Sequence, residues 1–106
     1  MTYLESIKLH NIVFSNSSNF VLIGGINVLE DKESTLEIAQ HYKKVCSKLQ
    51  IPLVFKASYD KANRSSIDSF RGPGIDEGLK IFKILKEKLN IKILTDVHTS
   101  EEAKKA

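Results

Sequence analysis

The chain has 106 residues, with 16 lysines and arginines, 13 aspartates and glutamates, and a formal net charge of +3. This size fits one domain at most, and the mild, dispersed positive charge argues against a nucleic-acid-binding surface. No apolar stretch approaches the roughly 18 residues of a membrane span, and the lone Cys46 argues against a disulfide scaffold and is typical of a cytoplasmic protein.

The first half of the chain predicts a hairpin, a strand and a helix. Residues 6–14 alternate loosely between polar and apolar types, which predicts a short β-hairpin. Residues 20–23 form a continuous apolar run ended by two glycines, which is typical of a strand buried on both faces. Residues 32–49 predict a helix that begins with a capping box made by Ser34 and Glu37. Its core-facing residues are expected to be Leu36, Ala39, Cys46 and Leu49.

The second half predicts two further strands and a helix between them. Residues 51–55 and 91–97 are apolar enough to be strands, and residues 76–89 predict a helix. Thr99 and Glu102 offer another capping box, so a third helix is expected near residue 100. Leucines and a phenylalanine should line one side of the second helix: Leu79, Phe82, Leu85 and Leu89.

The predicted order is a hairpin followed by two βα units and the start of a third. Strands that alternate with helices imply parallel pairing with right-handed crossovers. Two α/β architectures begin in this way, a doubly wound sheet and a (β/α)₈ barrel. The order of the strands does not choose between them.

Cations and small polar side chains follow the second parallel strand. Enzymes built on parallel sheets place their chemistry where such strands end, and cations surrounded by neutral donors suit a phosphorylated substrate. The residues are Lys56, Ser58, Lys61, Asn63, Arg64 and Ser65.

Several of these residues also allow a purely structural interpretation. Alternation along the strand puts Lys56 on the face opposite Phe55, where it either enters a substrate cavity or reaches solvent. Asn63 and Ser65 either bind a phosphate or close turns. Asp96, at the end of the third strand, could accept hydrogen bonds from sugar hydroxyls or orient a lysine. The structural alternatives are a cap for the next helix or a buried ion pair.

Five short segments, in this order along the chain, resemble one enzyme family. They are GGINVLE at 24–30, FKAS at 55–58, KANRSS at 61–66, FRGPG at 70–74 and TDVH at 95–98. The chain resembles the 3-deoxy-D-manno-octulosonate 8-phosphate synthases, which belong to lipopolysaccharide biosynthesis. The resemblance implies condensation of phosphoenolpyruvate with D-arabinose 5-phosphate, no cofactor, a homotetramer, and a (β/α)₈ barrel whose bottom is closed by the hairpin.

The resemblance also implies roles for individual residues. Lys56 and Lys61 would lie against phosphoenolpyruvate, with Ser58 beside them. The phosphate end of the pentose would be held by a short run that partly serves a neighbouring subunit: Asn63, Arg64 and Ser65. Asn27, Lys61 and Asp96 would be the catalytic residues.

Asn27 carries a further implication of the resemblance. Family members have either a metal-ligating Cys or an Asn at this place, and an amide cannot supply a thiolate. The resemblance therefore implies the metal-independent class, with no metal site. Cys46 is no substitute, because it falls on the predicted core face of the first helix.

The chain supplies only about three of the eight strands that a barrel of ~250 residues needs. Residues 1–106 are accordingly expected to be the N-terminal part of one barrel domain and to be inactive alone. A non-catalytic remnant, or one half of a split gene product that needs a complementary chain, is the alternative. A related synthase of the shikimate pathway is another alternative, but it should carry a Lys-Pro-Arg-Thr type of loop in place of KANRSS. A small basic binding module is a further alternative, and it should bind polyanions with strong salt dependence.

Overall fold

The computed structural model describes residues 5–61 and 70–106. In this part of the chain, a two-stranded hairpin precedes alternating strands and helices. The elements are β1 (Ser6–Leu9), β2 (Ile12–Ser15), β3 (Leu22–Gly25), α1 (Lys32–Leu49), β4 (Leu53–Lys56), α2 (Ile75–Leu89), β5 (Lys92–Leu94) and α3 (Ser100–Lys105). Among these helices, none is long and apolar enough to cross a membrane.

The three later strands form one parallel sheet in the order β3-β4-β5. Each strand pairs with the next one along the chain, and the helix between them returns the chain to the same end of the sheet. This arrangement confirms the predicted α/β class, with a hairpin followed by parallel βαβ units.

The hydrophobic core lies between the sheet and the two long helices. Phe55, at the centre of β4, is fully buried, and its ring meets Tyr42 of α1 edge to face at 5.6 Å between centroids. Leu53 and Ile93 face the same side. Most of the remaining core side chains come from the helices and the connections: Leu29, Ala39, Cys46, Ala57, Tyr59, Ile81, Phe82, Leu85 and Leu89.

The other face of the sheet carries the alternate residues and is more open. Gly25, Lys56 and Leu94 form one row across the three strands, and Ile23, Val54 and Lys92 form the row below it. The prediction that this strand is buried on both faces is therefore wrong for the described residues, because the side chain of Ile23 in β3 remains 47% exposed.

The strand boundaries differ from the predicted ones by up to three residues. β3 runs from Leu22 through the two glycines rather than over residues 20–23, because Leu22 to Gly25 are the residues that align with β4. Phe20 lies outside the strand and is 67% exposed. β5 ends at Leu94, so Asp96 belongs to the following loop and not to the strand.

The helix ends explain two further differences. Asp31, not Ser34, is the N-cap of α1, and its carboxylate accepts hydrogen bonds from the Ser34 amide at 2.8 Å and the Ser34 hydroxyl at 2.9 Å. Leu49, expected in the core, is 61% exposed because the helix ends there. Gln50 follows in the left-handed conformation, and the amide of Ile51 bonds to the carbonyl of Cys46 at 2.8 Å.

The hairpin lies at the amino end of the parallel sheet. Ile12 is buried and borders a cavity of about 370 Å³. The same cavity is lined by Pro52 and Leu53 at the start of β4 and by Ile91 and Lys92 at the start of β5. The predicted hairpin is thus confirmed, with an antiparallel pairing of β1 and β2. The carboxyl ends of the strands remain clear of it.

Candidate functional site

Polar residues gather at the carboxyl ends of the three parallel strands. The connection after β3 runs beside the end of β4, because the Ile26 amide bonds to the Lys56 carbonyl at 3.0 Å and the Leu29 amide to the Ser58 carbonyl at 2.9 Å. Asn27 lies between these two backbone bonds and is exposed. Its side chain makes no hydrogen bond to any residue in the described ranges.

Lys56 is the last residue of β4 and lies on the open face, as its alternation with Phe55 predicts. Its neighbour across the ladder is Gly25, where an added Cβ would lie 1.9 Å from the Lys56 carbonyl oxygen. A side chain at position 25 would therefore push the ends of β3 and β4 apart. Glycine at this position keeps the backbone of Lys56 close to β3.

Ser58 and Asp96 join the end of β4 to the loop after β5. The buried Ser58 hydroxyl donates a hydrogen bond to Asp96 Oδ1 at 2.5 Å. Burial acts to raise the pKa of Asp96, but this bond, a backbone amide bond and the charges of His98 and Lys56 outweigh it and lower the pKa. Asp96 is therefore an ionised acceptor beside Lys56 at neutral pH.

His98 supports the same pair of loops. Its Nε2 lies 2.7 Å from the backbone carbonyl of Asp60 and 3.6 Å from Asp96 Oδ2. A carbonyl can only accept, so Nε2 carries the hydrogen. The ring also packs at 5.9 Å from that of Tyr59. These contacts hold the loop after β5 against the residues that follow β4.

Tyr59 fixes the first residues after β4 to both following helices. Its side chain is 1% exposed, and its hydroxyl donates a hydrogen bond to Glu102 of α3. Burial, together with this bond, raises the pKa of Tyr59 above its ordinary value. An added Cβ at Gly78 of α2 would lie 2.4 Å from the Tyr59 Cβ, so glycine is needed there for close packing. Thr99 caps α3 as expected, whereas the Glu102 side chain bonds to Tyr59.

Residues 59–61 and 71–74 lie side by side, and we call these two segments the stem. The Arg71 guanidinium donates to both carboxylate oxygens of Asp60, from Nε at 2.6 Å and from Nη2 at 3.2 Å. The Lys61 amide bonds to the Arg71 carbonyl at 2.7 Å, and the Gly74 amide to the Tyr59 carbonyl at 2.9 Å. Gly74 then precedes α2 as its N-cap.

The described residues thus bring together Asn27, Lys56, Ser58 and Asp96, and they place Lys61 in the adjoining stem. The predicted phosphate-binding residues lie outside the described residues: Asn63, Arg64 and Ser65. Sequence reasoning missed the contacts of Tyr59, Asp60 and Glu102. Their partners are 11 to 43 residues away along the chain, so no local spacing signals them.

Within residues 5–61 and 70–106, no three His, Cys, Asp or Glu side chains form a group that could hold a metal ion. Cys46 is buried in the core, where desolvation raises the pKa of its thiol.

The parallel α/β fold with a polar site at the strand ends agrees with a family match over nearly the whole chain. Residues 4–106 match the DAHP synthetase I family, and the chain belongs to this family.

Within that family, the chain is similar to proteins that share one name. The chain is 63% identical over 99 residues to a 2-dehydro-3-deoxyphosphooctonate aldolase of Prochlorococcus marinus (strain MIT 9313), covering 93% of this chain and 35% of the relative. An aldolase of the same name from Parasynechococcus marenigrum (strain WH8102) is 60% identical, covering 96% of this chain and 36% of the relative. Another, from Pseudoalteromonas translucida (strain TAC 125), is 57% identical, covering 93% of this chain and 35% of the relative. The chain spans about a third of the length of these relatives.

Proposed function

We propose that this chain supplies one part of the active site of a 3-deoxy-D-manno-octulosonate 8-phosphate synthase, the enzyme also called 2-dehydro-3-deoxyphosphooctonate aldolase. The observation that carries the proposal is the convergence of Lys56, the Ser58–Asp96 pair and Asn27 at the carboxyl ends of three parallel strands. The 63% identity to an aldolase of this name supports it. The reaction condenses phosphoenolpyruvate with D-arabinose 5-phosphate.

The fold proposed for the whole domain is a (β/α)₈ barrel, of which this chain forms the first strands and helices. The packing of both long helices against one face of the sheet supports it. The open face, with Lys56 at its end, would then line the barrel interior. The position of the hairpin at the amino ends of β4 and β5 supports its assignment as the bottom closure.

Electrostatics suit the proposed substrate. Phosphoenolpyruvate carries a carboxylate and a phosphate, and the ammonium groups of Lys56 and Lys61 would offset this charge. In the reaction, the methylene carbon of phosphoenolpyruvate forms a bond to the aldehyde carbon of the pentose. Water adds to the neighbouring carbon that carries the phosphate, and a proton from this water accounts for the one that the aldehyde oxygen gains. The bond from that carbon to the phosphate oxygen then breaks, and phosphate leaves with the electron pair as the ketone forms. Positioned cations stabilise the charge that shifts along this path.

Asp96 and Asn27 would orient the reactants. Asp96 accepts from Ser58 through one oxygen, and its side chain keeps 45% exposure, so the other oxygen can accept from a sugar hydroxyl. The amide of Asn27 can both donate and accept near the same strand ends. We propose that Asn27 takes the place of a metal ligand and that the reaction needs no metal. The homotetramer, the cytoplasmic location and the roles of Asn63, Arg64 and Ser65 stay predictions.

The shikimate-pathway synthase is the second candidate function, because the matching family model carries the DAHP name. The relatives at 57–63% identity are instead phosphooctonate aldolases. The KANRSS segment, in place of a Lys-Pro-Arg-Thr type of loop, also favours the pentose phosphate. A chain that acts only with a complementary chain remains an outcome of the experiment below.

The test uses the chain alone and a chimera in which residues 4–106 replace the matching part of the Prochlorococcus marinus aldolase. Phosphate release from phosphoenolpyruvate is measured with arabinose 5-phosphate or erythrose 4-phosphate, with and without a chelator. We expect activity only in the chimera, only with the pentose, and unchanged by the chelator. An inactive but folded chimera would contradict the proposed function, whereas loss of activity with the chelator would contradict only the role of Asn27.

A further inference from the structure

Arg71 lies in the FRGPG segment near the candidate site, and neither the resemblance nor the proposed function gives this cation a role. It lies ten residues after Lys61 in the sequence, yet the two residues are neighbours in the stem. A cation close to a site for an anionic substrate invites the assumption that it binds the substrate. The contacts of its guanidinium point to a different role.

The guanidinium of Arg71 is already engaged by Asp60. Nε and Nη2 donate to the two carboxylate oxygens at 2.6 and 3.2 Å, which is the two-pronged geometry of an arginine–carboxylate pair. The pairing raises the pKa of Arg71 further, chiefly through this hydrogen bond. To bind a substrate anion with the same donors, Arg71 would first have to leave Asp60.

The peptide group that joins Asp60 to Lys61 is hydrogen-bonded through both its amide and its carbonyl. The Lys61 amide donates to the Arg71 carbonyl at 2.7 Å, and the carbonyl of the preceding residue, Asp60, accepts from His98 Nε2 at 2.7 Å. The Asp60 carboxylate is in turn bound to the Arg71 side chain. These contacts fix the backbone at Lys61 without using the Lys61 side chain.

We propose that Arg71 is a positioning residue that, paired with Asp60, places Lys61 for the phosphoenolpyruvate end of the reaction. This proposal rests on the proposed function for its catalytic consequence, but the pairing itself is a property of the stem. The Lys61 ammonium is not part of the Asp60–Arg71 ion pair, so pairing these two side chains leaves it available to substrate.

The Arg71 side chain is exposed in this ion pair, so a positioning role can be distinguished from a contribution to global stability. The Arg71 side chain is 56% exposed, so the ion pair contributes little to the free energy of unfolding. Removing it should loosen the Lys61 backbone while the core remains folded. A residue that only stabilised the fold would show the opposite pattern.

The first experiment measures hydrogen exchange of the Lys61 amide in the 106-residue chain. Arg71→Gln and Asp60→Asn should each speed exchange by about tenfold, with the double variant no faster than either single one. Amides in the centre of β4 serve as the internal control and should be unchanged. Unchanged Lys61 exchange in both variants would overturn the positioning role without bearing on the proposed function.

The second experiment measures kcat and KM for phosphoenolpyruvate in the chimera. We expect the two single variants to lose about the same kcat/KM, on the order of tenfold, and the exchanged pair Asp60→Arg with Arg71→Asp to recover part of it. Direct substrate binding by Arg71 predicts the reverse: loss with Arg71→Gln, none with Asp60→Asn, and no recovery. That result would overturn the proposal while leaving the synthase assignment intact.

Discussion

The two faces of the parallel sheet use the same strands for different purposes. On the helix-covered face, Phe55 is fully buried and packs against α1 and α2. On the open face, Lys56 ends the same strand beside Gly25 and Asp96. Because successive side chains of a strand point to opposite faces, one residue step separates the centre of the core from the candidate site. Stability and chemistry are thus assigned to adjacent positions that can be changed separately.

The largest expected effect is on stability, from the helix-covered face. Phe55→Ala should lower the free energy of unfolding by about 3–5 kcal/mol, since it removes a buried ring and leaves a cavity. Ile23→Ala, on the open face of β3 and half exposed, should cost about 1 kcal/mol. Urea denaturation of the chain followed by circular dichroism measures both. Equal losses would show that the two faces are packed alike.

The next effect is on activity, from the open face. Lys56→Met should reduce kcat/KM for phosphoenolpyruvate in the chimera by about 100-fold, because charge-assisted contacts of this kind contribute about 1.5–3 kcal/mol. Lys92→Met is the matched control, since Lys92 lies on the same face but in the row of Val54. It should change kcat/KM by less than about twofold. A loss of similar size in both variants would mean that general positive charge, not the position of Lys56, matters.

The smallest effect concerns the pH dependence of stability. The pKa of Asp96 is lowered in the folded chain, so its carboxylate stabilises the fold above the ordinary aspartate pKa of about 3.9. This contribution is lost as the pH falls through the lowered value. The melting temperature of the wild-type chain should therefore exceed that of Asp96→Asn at pH 6, by on the order of a degree or two because the side chain is 45% exposed.

The difference between the two proteins should shrink as the pH falls below the ordinary aspartate pKa, and it should disappear once the pH is below the lowered pKa of the folded chain. Ser58→Ala is the control, because it removes the hydrogen bond that acts most strongly to lower the pKa and should reduce the difference at pH 6. Asp31 also has a lowered pKa, but it is present in every variant and cancels. A difference that persists unchanged at low pH would show that Asp96 acts through packing rather than charge.

The sequence predicts the helices better than the strand ends. Apolar periodicity places α2 within one residue of its observed start, because a long amphipathic pattern is dictated locally. The bounds of β3 depend on which residues align with β4, which no local pattern specifies. Leu49 fails as a core residue for a similar reason, since the left-handed Gln50 ends the helix beside it.

In the candidate site, too, features that depend on local sequence are predicted and contacts between distant segments are not. Strand order and alternation suffice to put Lys56 and Asp96 at the same end of the sheet, and the motifs supply Asn27 and Ser58. The Tyr59–Glu102 bond and the Asp60–Arg71 pair join distant segments, so they follow only from the assembled fold. The sequence therefore predicts which residues carry chemistry more readily than which ones hold them in place.

The bond between the two long helices has a practical consequence for chemical labelling. Lys43 of α1 donates from Nζ to the carbonyl of Leu89, the last residue of α2, at 2.5 Å. An amine-reactive reagent needs a free, deprotonated amine, so Lys43 must leave this carbonyl before it can react. Its acylation rate, followed by mass spectrometry against the exposed Lys44 in the next position, would report how often the carboxyl end of α2 separates from α1.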